Sequence, residues 1–364
     1  MSPTKVLLII VIDEKLKIDV LFWSIKMIEQ ELYFAADEFL KNLFSELDKN
    51  NIELQDHWDI DHLCYRTDDF SRYLILKEEF KNYGKLLIAS EVNGREISTY
   101  ELFKPICFRD KKVFLIELPA PKIGKITQEG FEHAEVVCDI SFEILVNKYG
   151  HLKQKAQGLK KIFNQELEIN MGLYNLKFHH LSLMSVINLE KNTKVWTAVL
   201  DSNILEIFSE QAPLICGDFL LNVYVENSEM VILLKSANLE ETKNKLINCF
   251  ENVSEFLLSC TLIDGRSCIV CNFNFDNLAF KIFVQDRDPV RQTEYLNFLI
   301  AERLFKLGGQ EFKDKIFKKR KNGTKISETI IKVLGIAGDP NLKILEMQKS
   351  PTMELSKLLS TFIY

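Results

Sequence analysis

His57-Trp58-Asp59-Ile60-Asp61-His62-Leu63-Cys64-Tyr65-Arg66 opens with acid-histidine pairs and runs into an apolar, strand-like segment. Phe131-Glu132-His133-Ala134-Glu135-Val136-Val137 repeats that arrangement further along the chain. Alternate side chains of a strand share a face. His62, Cys64 and Arg66 therefore point one way, and so do His133, Glu135 and Val137. Each strand has a later companion with another candidate ligand. These are Val113-Phe114-Leu115-Ile116-Glu117-Leu118-Pro119 and Leu176-Lys177-Phe178-His179-His180-Leu181. The twofold pattern predicts a duplicated module facing itself across a cup.

Length and composition bound the rest. A chain of 364 residues exceeds one hydrophobic core and suits two domains. With 47% hydrophobic residues, 11% aromatic, 14 Gly and 8 Pro, it is an ordinary folded protein, not a disordered or fibrous one. A net charge of −6 argues against a general nucleic-acid binder. Of the eight cysteines, only Cys268 and Cys271 form a close pair, with no second pair and no nearby histidine. Zinc needs four ligands at matching spacing, so buried free thiols in a reducing cytoplasm are the better account. The apolar run Val6 to Ile12 is broken by Asp13-Glu14-Lys15. It is too short to span a membrane and no small-residue cleavage site follows it. Residues 1–26 read either as a mis-extended leader before Met27 or as an extra strand on the core, and the sequence leaves both open.

Taken in order, Ile28 to Asn50 has helical periodicity, with Leu32, Phe34, Ala35, Phe39, Leu40, Leu43, Phe44 and Leu47 on one face. The His62 strand follows, then a helix from Ser71 to Tyr83 closed by Gly84 as its cap. Strands are expected at 85–92, 96–103 and 111–118, with Asn93-Gly94 as a hairpin turn. The pattern restarts with a strand at 132–138, a helix within 142–163 and strand pieces at 166–170 and 175–183. The polar stretch Asn188 to Lys194 suits a domain boundary. Beyond it the reading is a helix at 196–208, strands at 220–225 and 230–234, and a helix at 239–250. Three more strands (255–262, 267–275, 278–284) and closing helices at 290–306, 310–321 and beyond Ser327 complete it.

The motifs Asp61-His62-Leu63, Val92-Asn93-Gly94-Arg95-Glu96-Ile97, Ile116-Glu117-Leu118-Pro119-Ala120-Pro121, Gln128-Glu129-Gly130-Phe131-Glu132-His133-Ala134-Glu135 and Leu176-Lys177-Phe178-His179-His180 occur in order. In them, residues from about 30 to 190 resemble the YecM family, which has the vicinal-oxygen-chelate (glyoxalase-like) fold. The resemblance implies paired βαβββ modules and a metal site in the cup. Relatives in the superfamily include isomerases, lyases and ring-cleaving dioxygenases. The donors would be His62, Glu117, His133 and His179, a nitrogen and oxygen set that suits Zn, Fe, Mn or Ni. Glu135 is the candidate base, two residues along from His133. Arg66 or Arg95 could clamp a substrate carboxylate. Structural readings stand beside these: His62 and His133 as core histidines satisfied by Asp61 and Glu132, Glu117 paired with Lys112, and His179 and His180 on opposite strand faces.

In the second half, Pro213-Leu214-Ile215-Cys216-Gly217, Asn222-Val223, Ser228-Glu229-Met230-Val231-Ile232-Leu233, Phe280-Lys281-Ile282-Phe283 and the run from Pro289 to Pro340 resemble an uncharacterised nucleotidyltransferase-like family. Active members carry a Gly-Ser pair, an Asp-x-Asp and a third carboxylate, because two divalent cations must be bridged during nucleotidyl transfer. Here Asp218 follows Gly217, the Asp-x-Asp reads Glu229-Met230-Val231 after Ser228, and Lys281 holds the third position. A cation at Lys281 opposes metal binding, so catalysis is expected to be lost while nucleotide binding stays open. The basic run Lys313 to Lys325, with Phe312, Ile316 and Phe317 inward, reads as a solvated helix face.

The expectation is an α+β protein: leader 1–26, a YecM-like vicinal-oxygen-chelate domain 27–190, a nucleotidyltransferase-like mixed-sheet domain with C-terminal helices 195–350, and a tail 351–364. Its function would be divalent-metal binding with chemistry on a small-molecule ligand. The alternative is a non-catalytic binding or scaffold protein without metal. No membrane partner is expected, and the sequence is silent on substrate and oligomeric state.

Overall fold

The computed structural model describes residues 14–361 except 93, 123, 125, 126 and 321–323, with side chains described from residue 29 onward. The apolar run 6–12 and Asn93 of the expected hairpin lie outside the described residues. The chain is α+β, with two mixed sheets and a C-terminal set of helices. It divides into two compact units. One comprises residues up to Ser45, Cys64–Phe108 and Phe114–Phe131; the other comprises Glu46–Leu63, Arg109–Val113 and Glu132 onward.

In the first unit, helix α1 (Glu14–Lys49) starts earlier than the periodicity indicated. Its buried face uses Leu32, Ala36, Phe39, Leu40, Leu43 and Phe44 at helical spacing. Phe34 and Ala35, expected on that face, are exposed, because helical spacing from Leu32 brings Ala36 inward instead. Strand β1 (Ile60–Arg66) leads to α2 (Phe70–Glu79), where the Asp69 side chain caps the Arg72 amide. Strands β2 (Gly84–Val92), β3 (Arg95–Phe108) and β4 (Lys111–Pro119) follow. Gly84 does not cap the helix: it opens β2, where a Cβ would sit 2.5 Å from the Glu101 carbonyl oxygen. Its role is close backbone approach.

The second module has β5 (Gly130–Val137), α3 (Phe142–Lys148), β6 (Lys153–Lys155), β7 (Glu166–Asn170) and β8 (Asn175–His179). The helix expected within 142–163 is α3 itself, ending at Lys148 just ahead of Gly150, and the rest of that range holds β6 and a single 3₁₀ turn, Gln157–Lys160. The strand expected to run to 183 ends at His179. The larger sheet has the hydrogen-bonded order β2-β3-β4-β1-β5-β8-β7-β6. In both modules the opening strand neighbours the last, then the third, then the second, so the two modules share one topology.

Next come α4 (Leu183–Lys191), α5 (Thr193–Asp201) and α6 (Ile204–Ile207). The polar stretch 188–194 is therefore helical on both sides of Asn192, whose side chain caps α5. After β9 (Leu214–Cys216), the expected 220–225 strand is replaced by a short helix, α7 (Asp218–Leu221), ended by left-handed Asn222. The remaining elements are β10 (Met230–Lys235), α8 (Leu239–Phe250), β11 (Ser254–Ile263), β12 (Arg266–Phe275) and β13 (Leu278–Gln285). Helices α9 (Thr293–Lys319), α10 (Ile326–Val333), α11 (Pro340–Glu346) and α12 (Thr352–Ser360) close the chain. The smaller sheet has the order β11-β12-β13-β10-β9, with β10 and β13 parallel. Its core includes a run of stacked rings, Phe250 on Phe273 at 4.4 Å and Phe273 on Phe280 at 5.0 Å. Helix α9 kinks at Gly309, and Phe317, expected inward, is half exposed beyond that kink.

Candidate functional site

Strand alternation and parallel register build the cluster. On β5, His133 and Glu135 share a face; on β8, Lys177 and His179 do. The β5–β8 register sets Glu135 against Lys177 and Val137 against His179. His62 enters from β1. His62, His133, His179 and Glu135 are all buried.

Three imidazoles converge on one carboxylate. Glu135 Oε1 lies 3.0 Å from His133 Nε2 and 3.5 Å from His62 Nε2, and Oε2 lies 2.5 Å from His179 Nε2. Lys177 Nζ donates to Glu135 Oε1 at 2.7 Å. Burial by itself would raise the Glu135 carboxyl pKa. Lys177, then His62 and His179, and the His133 hydrogen bond outweigh it and hold the group well below the usual carboxylate range.

The other ring nitrogens are each held by an oxygen. His62 Nδ1 faces Asp61 Oδ2 at 2.9 Å, His133 Nδ1 faces Glu132 Oε2 at 3.1 Å, and His179 Nδ1 faces Asn164 Oδ1 at 3.3 Å. Asp61 is itself fixed by the Leu183 amide at 2.8 Å. An acceptor opposite Nδ1 favours the proton there and leaves Nε2 as a lone-pair donor. His133 Nε2 is nonetheless hydrogen-bonded to Glu135 Oε1. Lys177 already brings one positive charge to that carboxylate, and a bound cation would bring more. His179 Nε2 is buried and close to Glu135, yet makes no hydrogen-bond geometry. The donor set of imidazole nitrogens and a carboxylate fits Zn, Fe, Mn or Ni.

The contacts that the structural reading assigned to Asp61 and Glu132 are present. They are also the outer-sphere oxygens that fix the rings of metal-binding histidines, so they do not decide between the two readings. His180, just past the end of β8, is half-buried and structurally engaged. Its Nδ1 lies 3.1 Å from the Cys138 carbonyl, its ring stacks on Phe142, and burial lowers its pKa to about 4. Asn164 and Lys177 had not been singled out. Lys177 could have been found, since it precedes His179 by two and shares its face. Asn164 sits in a loop in left-handed conformation and left no periodic signal.

Glu117, Arg66 and Arg95 lie in the first unit. Glu117 is on β4 and half-buried. Arg95 donates to the Ala120 carbonyl at 3.2 Å. In the same unit Arg72 grips Glu129 in two-pronged fashion, Nε to Oε2 and Nη2 to Oε1, both at 2.9 Å.

In the C-terminal half, Lys281 Nζ lies 3.0 Å from Glu229 Oε2, and Val231 stands opposite Lys281 in the β10–β13 register. Asp218 Oδ2 accepts from Ser228 Oγ at 2.8 Å and from Arg320 Nη2. Gly217 has φ 103°, a conformation that favours glycine, and a Cβ there would meet Val231. Cys268 and Cys271 are buried on β12, and burial pushes their thiols up to about 11 and about 12. Among the described residues, no helix is long and apolar enough to cross a membrane.

Two family models match. An uncharacterized protein of Haemophilus influenzae is 42% identical over 96 residues, covering 26% of this chain and 49% of that protein. Protein YecM of Escherichia coli is 24% identical over 148 residues, covering 36% of this chain and 78% of that protein. The chain thus spans about half the length of the first relative and over three quarters of the second. A structural-genomics structure, Protein EC4020, is similar at 21% identity with a TM-score of 0.38, covering 44% of this chain and 92% of that one. Residues 28–190 match the YecM protein family and residues 197–347 match the Domain of unknown function DUF4269.

Proposed function

We propose that the YecM segment is a divalent-metal-binding protein of the vicinal-oxygen-chelate kind that acts on a small molecule. His62, His133, His179 and Glu135 are its donors. The observation that carries this reading is the pinning of three Nδ1 atoms by oxygens while three Nε2 atoms converge on one carboxylate. A metal with an open position there supplies Lewis acidity toward a carbonyl or enolate oxygen, as isomerase, lyase or dioxygenase-like chemistry requires. Asp61, Glu132 and Asn164 hold the rings in their tautomers. A carboxylate as acidic as Glu135 is a weak proton acceptor, which favours a ligand role over the base role given to it from the sequence.

Metal analysis of the purified chain tests this. We expect about one equivalent of a transition metal, lost in His62→Ala combined with His133→Ala. Glu117→Ala, run alongside, reports on the fourth donor expected from the sequence. Metal-free protein of full stability after transition-metal supplementation rejects the reading. What then stands is a binding or scaffold protein, favoured by one observation: Lys177 already neutralises Glu135.

For the DUF4269 segment we propose binding without nucleotidyl transfer. The ammonium of Lys281 pairs with the one surviving carboxylate, Glu229, and Asp218 is engaged by Ser228 and Arg320. A thermal shift with nucleoside triphosphate and Mg²⁺ detects residual nucleotide binding, and transfer of labelled nucleotide refutes the loss of catalysis. All eight cysteines are unpaired, which suits the reducing cytoplasm.

A further inference from the structure

Helix α9 belongs to the DUF4269 segment, yet its polar residues reach the strands that carry the histidine cluster. Tyr295, Glu302 and Lys306 are spaced by seven and four residues and so share one helix face. Each makes a buried or half-buried polar contact with a different part of the cluster's frame. Fully buried Tyr295 donates from its hydroxyl to the His180 carbonyl at 2.6 Å and lies 3.3 Å from the Cys138 carbonyl. It thereby ties the end of β8, just past His179, to the end of β5, the strand of His133 and Glu135. Lys306 Nζ donates to the Ile60 carbonyl at 3.1 Å, at the start of β1 and two residues before His62. Glu302 accepts from the hydroxyls of Ser182 and Ser185. Ser182 caps α4, and the first amide of that helix, Leu183, holds Asp61, the partner of His62.

The same anchoring recurs beside these three. Arg303, one residue along α9, lies 3.5 Å from Asp59, and Thr352 of α12 donates to Asp59 at 2.9 Å. Gln348 donates to Asp139 at 2.8 Å, at the foot of β5. Alongside the apolar packing of α9 against Val137 and Leu181, hydroxyl, carboxyl and ammonium groups are spent on the strand ends next to His62, Glu135 and His179.

We propose that α9 is the positioning element of the cluster. Through Tyr295, Glu302 and Lys306 the DUF4269 segment fixes the strand ends that carry His62, Glu135 and His179, and the two segments form a single metal-binding unit. This rests on the metal-binding reading above. Displacing a strand end by a fraction of an ångström misaligns a lone pair, and outer-sphere losses weaken metal binding by roughly ten- to hundred-fold. The function assigned to the DUF4269 segment is thus mechanical support of the site.

The test is a titration of the full-length, metal-free chain with Co²⁺, followed by its visible absorption, for wild type, Tyr295→Phe, Lys306→Met and Lys306→Arg. All are measured well below their melting temperatures. We expect Tyr295→Phe and Lys306→Met each to weaken Co²⁺ affinity at least about ten-fold and to shift the absorption bands, with Lys306→Arg restoring both. Variants that melt earlier but bind Co²⁺ as wild type does overturn the proposal, since a merely structural role predicts that pattern. A wild-type chain that binds no Co²⁺ removes both this proposal and the metal reading; unchanged affinity in all variants removes this proposal alone.

Discussion

Nε2 of His179 lies 2.5 Å from Oε2 of Glu135, inside the protein and without the geometry of a hydrogen bond. With Nδ1 of the same ring turned to Asn164, the contact brings two electron-rich atoms together. A divalent cation between the two atoms would turn that repulsion into coordination, and its ligands must shed any protons to bind it. Calorimetric titration with Zn²⁺ in two buffers of different ionisation enthalpy should report at least about one proton released per metal near neutral pH. Buffer-independent heats would show that the rings are already neutral.

Glu135→Gln tests the charge balance from the other side. The substitution removes the buried carboxylate partner of Lys177, leaving Glu166 as an acidic neighbour, and breaking a buried pair of this kind costs up to about 3 kcal/mol. Because the carboxyl's pKa is depressed in the folded state, its contribution is present above the ordinary value of 4.5 and is lost as pH falls through the folded value. Urea midpoints of variant and wild type should differ most at neutral pH and converge in acid.

Asn164→Ala removes the acceptor that orients His179 while touching no other cluster residue in the described contacts. Metal affinity should fall about ten-fold, with the melting temperature of the metal-free chain little changed. Equal affinity would place His179 under the control of Glu166 or Lys177 instead.

Glu302 gives a pH dependence of opposite sign. Burial pushes its carboxyl up to about 7 from an ordinary 4.5, against the hydrogen bonds of Ser182 and Ser185. The folded state holds this proton more tightly than the unfolded chain. The associated stability is therefore complete below 4.5 and is lost as pH rises through about 7. Between pH 5 and 8 wild type should lose at most about 3 kcal/mol relative to Glu302→Gln, read from urea midpoints at both pH values. Parallel pH profiles would assign Glu302 an ordinary pKa.

Gly84→Ala tests backbone proximity in the first unit. The added Cβ would press within 2.5 Å of the Glu101 carbonyl, an atom that the β2–β3 ladder holds in place. We expect a loss of about 2 kcal/mol in chemical unfolding, where a helix cap at this position would tolerate alanine with a smaller loss.

The sequence by itself determined the α+β class, the duplicated βαβββ order and the histidines worth pursuing, because strand alternation is a local rule. It set His133 and Glu135 on one face and separated His179 from His180 with no knowledge of the fold. It misjudged Gly84 and the 220–225 strand, where a single close contact or a left-handed residue outweighs propensity. Only the tertiary structure decided that Glu135 is the atom group on which three imidazoles converge. That depends on the parallel register of β5 against β8, which pairs residues far apart in the chain. It alone also showed Tyr295, Glu302 and Lys306 at the strand ends. A polar stripe on a helix looks like a solvated face until the surface opposite it is known.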